Sequence, residues 1–280
     1  MFDFLIPLWD NIILNPMANL LLWIYTALKE VGVGGAYGIA IILFTIIVRI
    51  VTLPFYAQQQ KAMKKQQDLM KSKEWTEMQK KYAKDREKLA QEQMRLYREN
   101  GVNPLGGCLP ALIPWPIMIG LYQSVSMVMG AQPEQLMDLA KHIYSFLPTL
   151  AQAVPVNPYF LGMDLGGVPN GLQPLTYLVP ILVAGGTWVQ QKMTVMPTAD
   201  PQTAQMNQSM QLMMPLFIGY ISLSFPIGLS LYWIVFNVLG IAQQYLTNNP
   251  LAKLPFLGGA ETAAPMAIPT KEKKNVGKKS

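Results

Sequence analysis

The chain has 280 residues, 51% of them hydrophobic and only 14% charged, with a formal net charge of +6 and a mean hydropathy of +0.23. That balance excludes an ordinary soluble domain and points to an all-α polytopic membrane protein. A single cysteine, Cys108, and a single histidine, His142, exclude an intrachain disulfide and leave too little for a metal site or a Cys/His nucleophile pair.

Residues 1–33 are apolar but interrupted by Asp10, Asn11, Asn15, Pro16 and Asn19. Asn15 followed by Pro16 reads as an N-cap and a first helical position. That leaves about 12 apolar-rich residues, too few to span a bilayer. The expectation is an interfacial helix on the external side, anchored by Trp9, Trp23 and Tyr25. No Lys or Arg precedes Lys29, so a cleavable signal or transit peptide is not expected.

Residues 34–57 read as the first transmembrane helix, with one charge, Arg49. Arg49 lies nine residues before Gln58, roughly 13 Å into the membrane at the helical rise. On insertion scales such an arginine costs about 2.5–3.5 kcal/mol. Thr45, Arg49, Thr52 and Tyr56 fall at i, i+4, i+7 and i+11, so they share one helical face. That stripe suggests a face turned to water. An intramembrane ionisable residue is a functional candidate by default.

Residues 58–103 carry twelve Lys and Arg against seven Asp and Glu, and no Gly or Pro before Gly101. They read as a basic helical hairpin with a break near Lys84–Asp85. Met63, Leu69, Met70, Trp75, Met78 and Tyr82 suggest one apolar seam, and Leu89, Gln93 and Leu96 with Ala90, Met94 and Tyr97 a second.

Residues 104–250 contain the other four expected spans. The second, 106–129, includes Pro110, Pro114 and Pro116 and should be kinked. Residues 131–171 read as a loop with one Lys and three acids, in which His142 is a solvated residue. The third span is 172–190, and 193–210 is a polar connector. Residues 212–246 would measure about 52 Å as one helix, so they divide into a fourth and a fifth span at Phe225–Pro226. Residues 251–280 form a basic tail, expected to be disordered. The positive-inside rule then places hairpin and tail in the cytoplasm and the N-terminus outside.

No G-x-x-x-x-G-K-[ST] sequence occurs, so no P-loop and no nucleotide cofactor are expected. The spans contain no Asp, Glu or His of the kind proton-coupled transporters use. What remains is Arg49, the amides Gln123, Gln190, Asn237, Gln243 and Gln244, and Trp233 nearby. Together these could line a wet groove whose cation attracts acidic residues of a passing chain.

The order of pieces resembles the YidC family of membrane protein insertases over roughly residues 36–244. The matching strings are GIAIILFTIIVRIVTLPFYAQQQKAMKK, LYRENGVNPLGGCLPALIPWPI with GLYQSV, and SMQLMMPLFIGYISLSFPIGLSLYWIVFNVLGIAQQ. One departure is Pro114, where the family often has Gln. The resemblance implies a five-span core in a bacterial cell membrane, with an amphiphilic groove closed on the outer side. It implies that Arg49 meets the substrate and that Gln190 and Trp233 line the groove. The groove set is then Arg49, Thr45, Thr52, Gln190, Trp233 and Asn237. The substrate-capture set on the hairpin is Met63, Met70, Trp75, Met78 and Tyr82.

The expected function is insertion of nascent membrane proteins into the lipid bilayer. No cofactor, metal or enzymatic step is expected, and the Sec translocon and the ribosome are candidate partners. Two other classes remain open: an anion transporter or channel, and a structural scaffold of a translocon. A transporter would give solute-dependent flux in liposomes, an insertase would photocrosslink to nascent membrane proteins, and a scaffold would do neither.

The charge asymmetry predicts that cysteines placed at Gln67 and Lys278 are cytoplasmic and one at Gln152 is external. In a Cys108→Ala background, an impermeant maleimide added to intact cells should label Gln152→Cys alone. Labelling of Lys278→Cys but not Gln152→Cys would contradict the orientation.

Overall fold

A computed structural model describes residues 5–103, 114–129, 133–145, 147, 154–170, 173–194 and 201–248. It opens with one unbroken helical path: α1 (Leu5–Trp9), a π-helical turn (Asp10–Leu14) and α2 (Asn15–Glu30). Asn15 is not an N-cap. It already has helical dihedrals, and its N–H donates to Asp10 O, an i→i−5 bond. The wider π turn delivers the chain to Pro16 without a break, which corrects the helix start expected there. The path Ile6–Glu30 is 25 residues long and, by length and composition, apolar enough to cross a membrane. The shortness that argued for an interfacial helix therefore does not hold.

α3 (Ala36–Met70) starts after Gly35, whose φ of 68° is left-handed. It runs through Pro54 into the basic region, so the expected boundary at residues 57 and 58 is no break in the helix. The chain turns at Lys71 and Ser72. Ser72 accepts a hydrogen bond from the Trp75 N–H (3.2 Å) and caps α4 (Lys73–Lys81). A second turn leads to Asp85, which accepts from the Lys88 N–H (3.1 Å) and caps α5 (Arg86–Glu99). That backbone N–H holds the Asp85 carboxyl below the usual carboxylate range. The cap's contribution is therefore present at neutral pH and lost as pH falls through the lowered value. Leu69, Trp75, Met78, Leu96 and Val102 form a small buried core here, with Leu89 and Tyr97 packed against it. Ala90 and Met94, expected in the second seam, are exposed.

α6 (Pro114–Met129) begins at its first proline. Pro114 and Pro116 are the first and third of its described residues. Pro110 lies outside the described residues. α7 (Pro133–His142) and a hairpin of β1 (Tyr159–Phe160) and β2 (Met163–Asp164) occupy the region expected to be a loop. Leu161 and Gly162 both have positive φ, as a two-residue hairpin turn of the I′ kind requires. A 3₁₀ turn (Pro174–Tyr177) leads into α8 (Leu178–Thr194). α9 (Pro201–Ser222) is helical from Pro201, so much of the expected polar connector is part of that helix. α10 (Ile227–Asn248) follows a tight turn, across which the Ser222 and Ser230 hydroxyls lie 2.9 Å apart.

Residues 1–241 and 242–280 are separate units. In the first, one apolar core joins Leu21, Leu22 and Tyr25 of α2, Tyr37, Ile41 and Phe44 of α3, Leu121 and Val125 of α6, Leu165, and Leu229 and Tyr232 of α10. The opposite faces are apolar too. Ile50, Val51 and Phe55 on α3, Ile181 and Leu182 on α8, and Leu216, Phe217 and Tyr220 on α9 are all exposed. Apolar surface on that scale fits a lipid solvent. With Ile6–Glu30, Ala36–Met70 and Ile227–Leu246 each long and apolar enough to cross, the protein is a mostly helical, multi-pass membrane protein.

The hairpin segment ties one end of the bundle shut. The Phe160 ring lies directly on the bare backbone of Gly38. The Asn157 N–H donates to the Tyr25 hydroxyl (3.1 Å), and Leu165 O accepts from the Gly228 N–H (2.8 Å). His142 is packed rather than solvated. Its side chain is only 13% exposed, with Nε2 4.0 Å from Asp10 Oδ1, and its carbonyl accepts from Asn19 Nδ2 at 2.7 Å.

A methyl group at residue 38 must displace the Phe160 ring. Gly38→Ala should therefore destabilise the protein in detergent by about 1–3 kcal/mol. In a Phe160→Ala background the same change should cost little. A full, additive loss in that background, read by thermal unfolding in detergent, would show that the ring is not what Gly38 accommodates.

Candidate functional site

An arginine in an apolar helix must find partners, because isolated buried charge is expensive. Arg49 is 7% exposed. Thr45 and Thr52 on the same face are also buried, while Ile50 and Val51 beside it are exposed. The polar stripe of α3 thus faces the protein interior, not open water. The two threonines satisfy themselves on their own helix: Thr45 Oγ1 donates to Ile41 O (2.7 Å) and Thr52 Oγ1 to Val48 O (2.8 Å). Neither hydroxyl proton is aimed at a ligand.

The guanidinium is held by aromatic faces. Its Cζ lies 4.3 Å from the centroid of Tyr56, two stripe steps along α3, and 4.4 Å from that of Phe236 on α10. A desolvated cation over a ring gains on the order of 2 kcal/mol, so two rings offset much of the insertion cost. Nε and Nη1 are buried without a hydrogen-bond partner among the described residues, as is the Tyr232 hydroxyl. The Tyr232 ring is 5.7 Å from Phe236. Buried donors in proteins are nearly always satisfied. These three are therefore the places where water or an incoming carbonyl or carboxylate would bind.

Three helices meet at this point. The Gln190 amide on α8 and Arg49 Nη2 on α3 both come up against the backbone of Gly240 on α10. Gln190 thus stands beside Arg49. Asn237 takes another role. Its Nδ2 donates to Thr187 Oγ1 (3.0 Å) and to Val183 O (3.4 Å), and its side chain lies against Gly186. It is buried and ties α10 to α8. Trp233 is half-buried, with its ring 6.5 Å from Phe225. It sits seven residues from Gly240, about 10 Å up the helix axis. Gln123, another candidate amide, accepts from Trp9 Nε1 at 2.7 Å and so joins α6 to the N-terminal helix.

The five hairpin residues divide by burial. Trp75 (3%) and Met78 (6%) are interior to the hairpin's own core, and the Trp75 ring packs 5.3 Å from Tyr97. Met63, Met70 and Tyr82 are half-buried. An apolar seam in a charged helix reads as a binding surface until its partner helix is known, and here α5 covers the seam. Tyr56 was visible as part of the stripe, but Phe236 and Gly240 were not singled out. An aromatic and a glycine in an apolar helix carry no local signal that an arginine nearly 190 residues earlier rests on them.

Residues 29–253 match the family model described as 60Kd inner membrane protein. The chain is 33% identical over 257 residues to membrane protein insertase YidC 2 of Bacillus anthracis, covering 90% of this chain and 86% of that one. It is 32% identical to membrane protein insertase MisCA of Bacillus subtilis, over 86% of this chain and 80% of the relative. It is 34% identical to the chloroplast inner membrane protein ALBINO3 of Arabidopsis thaliana, over 90% of this chain and 54% of the relative.

The tie between α8 and α10 is testable alone. Thr187→Val removes the better acceptor of Asn237 and should cost about 1–2 kcal/mol of stability in detergent. Asn237→Leu should cost less in the Thr187→Val background than in wild type, because the pair is already broken. Strictly additive losses would show that the hydrogen bond does not join the helices.

Proposed function

The chain belongs to the YidC family of membrane protein insertases, and from that premise we propose that it moves hydrophobic segments of nascent proteins into the bilayer along a groove centred on Arg49. The observation that carries the reading is a buried arginine with two unpartnered donors and no carboxylate in contact among the described residues. In this reading five helices span the membrane, α3, α6, α8, α9 and α10, and the path α1–α2, although long enough to cross, lies at the outer interface. The hairpin and tail are cytoplasmic and the N-terminus is external. The segment 154–168 closes the groove on the outer side. The hairpin receives the emerging chain, through exposed and half-buried positions such as Met63, Met70, Tyr82 and Met94 rather than through Trp75 and Met78. The Sec translocon and the ribosome are its natural neighbours in this scheme.

The energetics support such a route. A carboxylate carried to mid-membrane costs about 2.5–3.5 kcal/mol on insertion scales. An arginine about 4 Å away returns roughly 4 kcal/mol at an effective dielectric of 20. The two are comparable, so Arg49 can cancel the barrier for an acidic flank without trapping it. Release is driven by transfer of the apolar segment into hydrocarbon. The membrane potential adds about 2.3 kcal/mol per charge per 100 mV for acids moving outward. No nucleotide hydrolysis and no covalent step are involved.

The test is insertion of two reporters by full-length protein in proteoliposomes, one with an acidic translocated segment and one with that segment neutralised. Arg49→Ala should lower insertion of the acidic reporter about tenfold or more and change the neutral one little. Arg49→Lys should fall between, since a point charge survives but the stacking of a planar guanidinium does not. Equal loss on both reporters would falsify the charge role. Reporter-independent anion flux would favour the transporter class instead.

A further inference from the structure

Gly240 lies near the middle of α10, where glycine costs about 1 kcal/mol relative to alanine in a helix. Its backbone is helical and it is buried, so neither turn geometry nor exposure accounts for it. The surroundings do. A Cβ at residue 240 would lie 2.7 Å from Arg49 Nη2 and 2.6 Å from Gln190 Nε2. Carbon contacts that short essentially do not occur, so both polar ends would have to move. Arg49 cannot move freely, because the Tyr56 and Phe236 rings stand 4.3 and 4.4 Å from its Cζ. A side chain at 240 would push the guanidinium off those rings.

We propose that Gly240 is the positioning residue of the groove: a spot without a side chain on α10, on which the guanidinium of α3 and the amide of α8 are seated together, so that the cation stays at one depth and one orientation. The inference rests on the insertase reading above. It adds that the selectivity of the groove for acidic segments is set by α10 as well as by the arginine. Gly240 touches no substrate and acts through Arg49. Nη2 makes the Gly240 contact, and it is Nε and Nη1, buried without a hydrogen-bond partner among the described residues, that are left for an acceptor.

The experiment compares the acidic and neutral reporters for wild type, Gly240→Ala, Arg49→Lys and Arg49→Lys/Gly240→Ala, as full-length chains at matched membrane levels. Gly240→Ala should lower insertion of the acidic reporter about fivefold and leave the neutral one little changed. Lysine has no Nη2 to meet the new methyl, so only Gln190 Nε2, 2.6 Å from it, still has to give, and adding Gly240→Ala to Arg49→Lys should lower the acidic reporter less than in the wild-type background, by about twofold at most. If Gly240→Ala alone fails to accumulate, recovery of accumulation in the Arg49→Lys background supports the same conclusion. Equal loss on both reporters, an equal effect of Gly240→Ala in both backgrounds, or failure to accumulate in both overturns it. Failure of the wild type to insert either reporter would count against the insertase reading itself, a separately visible result.

Discussion

The structure depends on keeping one positive charge inside an apolar bundle without neutralising it. A carboxylate at Arg49 would be the cheap solution in stability terms, and among the described residues none is in contact with it. Two aromatic rings take its place. Rings stabilise a cation without cancelling its field. The charge therefore remains felt at the site, and two of its nitrogens are left without a hydrogen-bond partner among the described residues. A salt bridge of similar strength would have consumed both.

The rest of the fold follows from holding that charge in place. α3 supplies Arg49 and Tyr56, α10 supplies Phe236 and the bare backbone of Gly240, and α8 supplies Gln190. The Asn237–Thr187 hydrogen bond ties α8 to α10 one turn from Gly240. At the other end of α3, the 154–168 segment joins α2, α3 and the start of α10 through the Tyr25, Gly38 and Gly228 contacts. The end of the bundle where α3 begins is thus heavily cross-linked. At its far end α3 continues into a hairpin with a core of its own.

Composition and apolar runs made the class of protein legible and singled out Arg49, which the structure buries. They misled where a local signal had a non-local answer. Asn15–Pro16 reads as a helix start, yet a π turn carries the helix through it. The onset of charge after residue 57 reads as the boundary between span and hairpin, yet α3 continues through it to Met70 without a break. Trp75 and Met78 look like a surface for partners, and α5 fills it. The partners of Arg49 were hidden for the same reason: Phe236 and Gly240 matter only once α10 is laid against α3, and no spacing within either segment announces that.

The central claim is that substrate passes beside the seated arginine. It is tested most directly by a photocrosslinking amino acid at Gln190, next to Arg49, with a control at Val51, which is 66% exposed on the far face of α3. A ribosome-bound nascent chain of a single-span protein with an acidic flank serves as substrate. The account predicts adducts at Gln190 whose yield falls when the flank is neutralised, and few at Val51. Adducts at Val51 alone, or a yield at Gln190 indifferent to the charge of the flank, would contradict it.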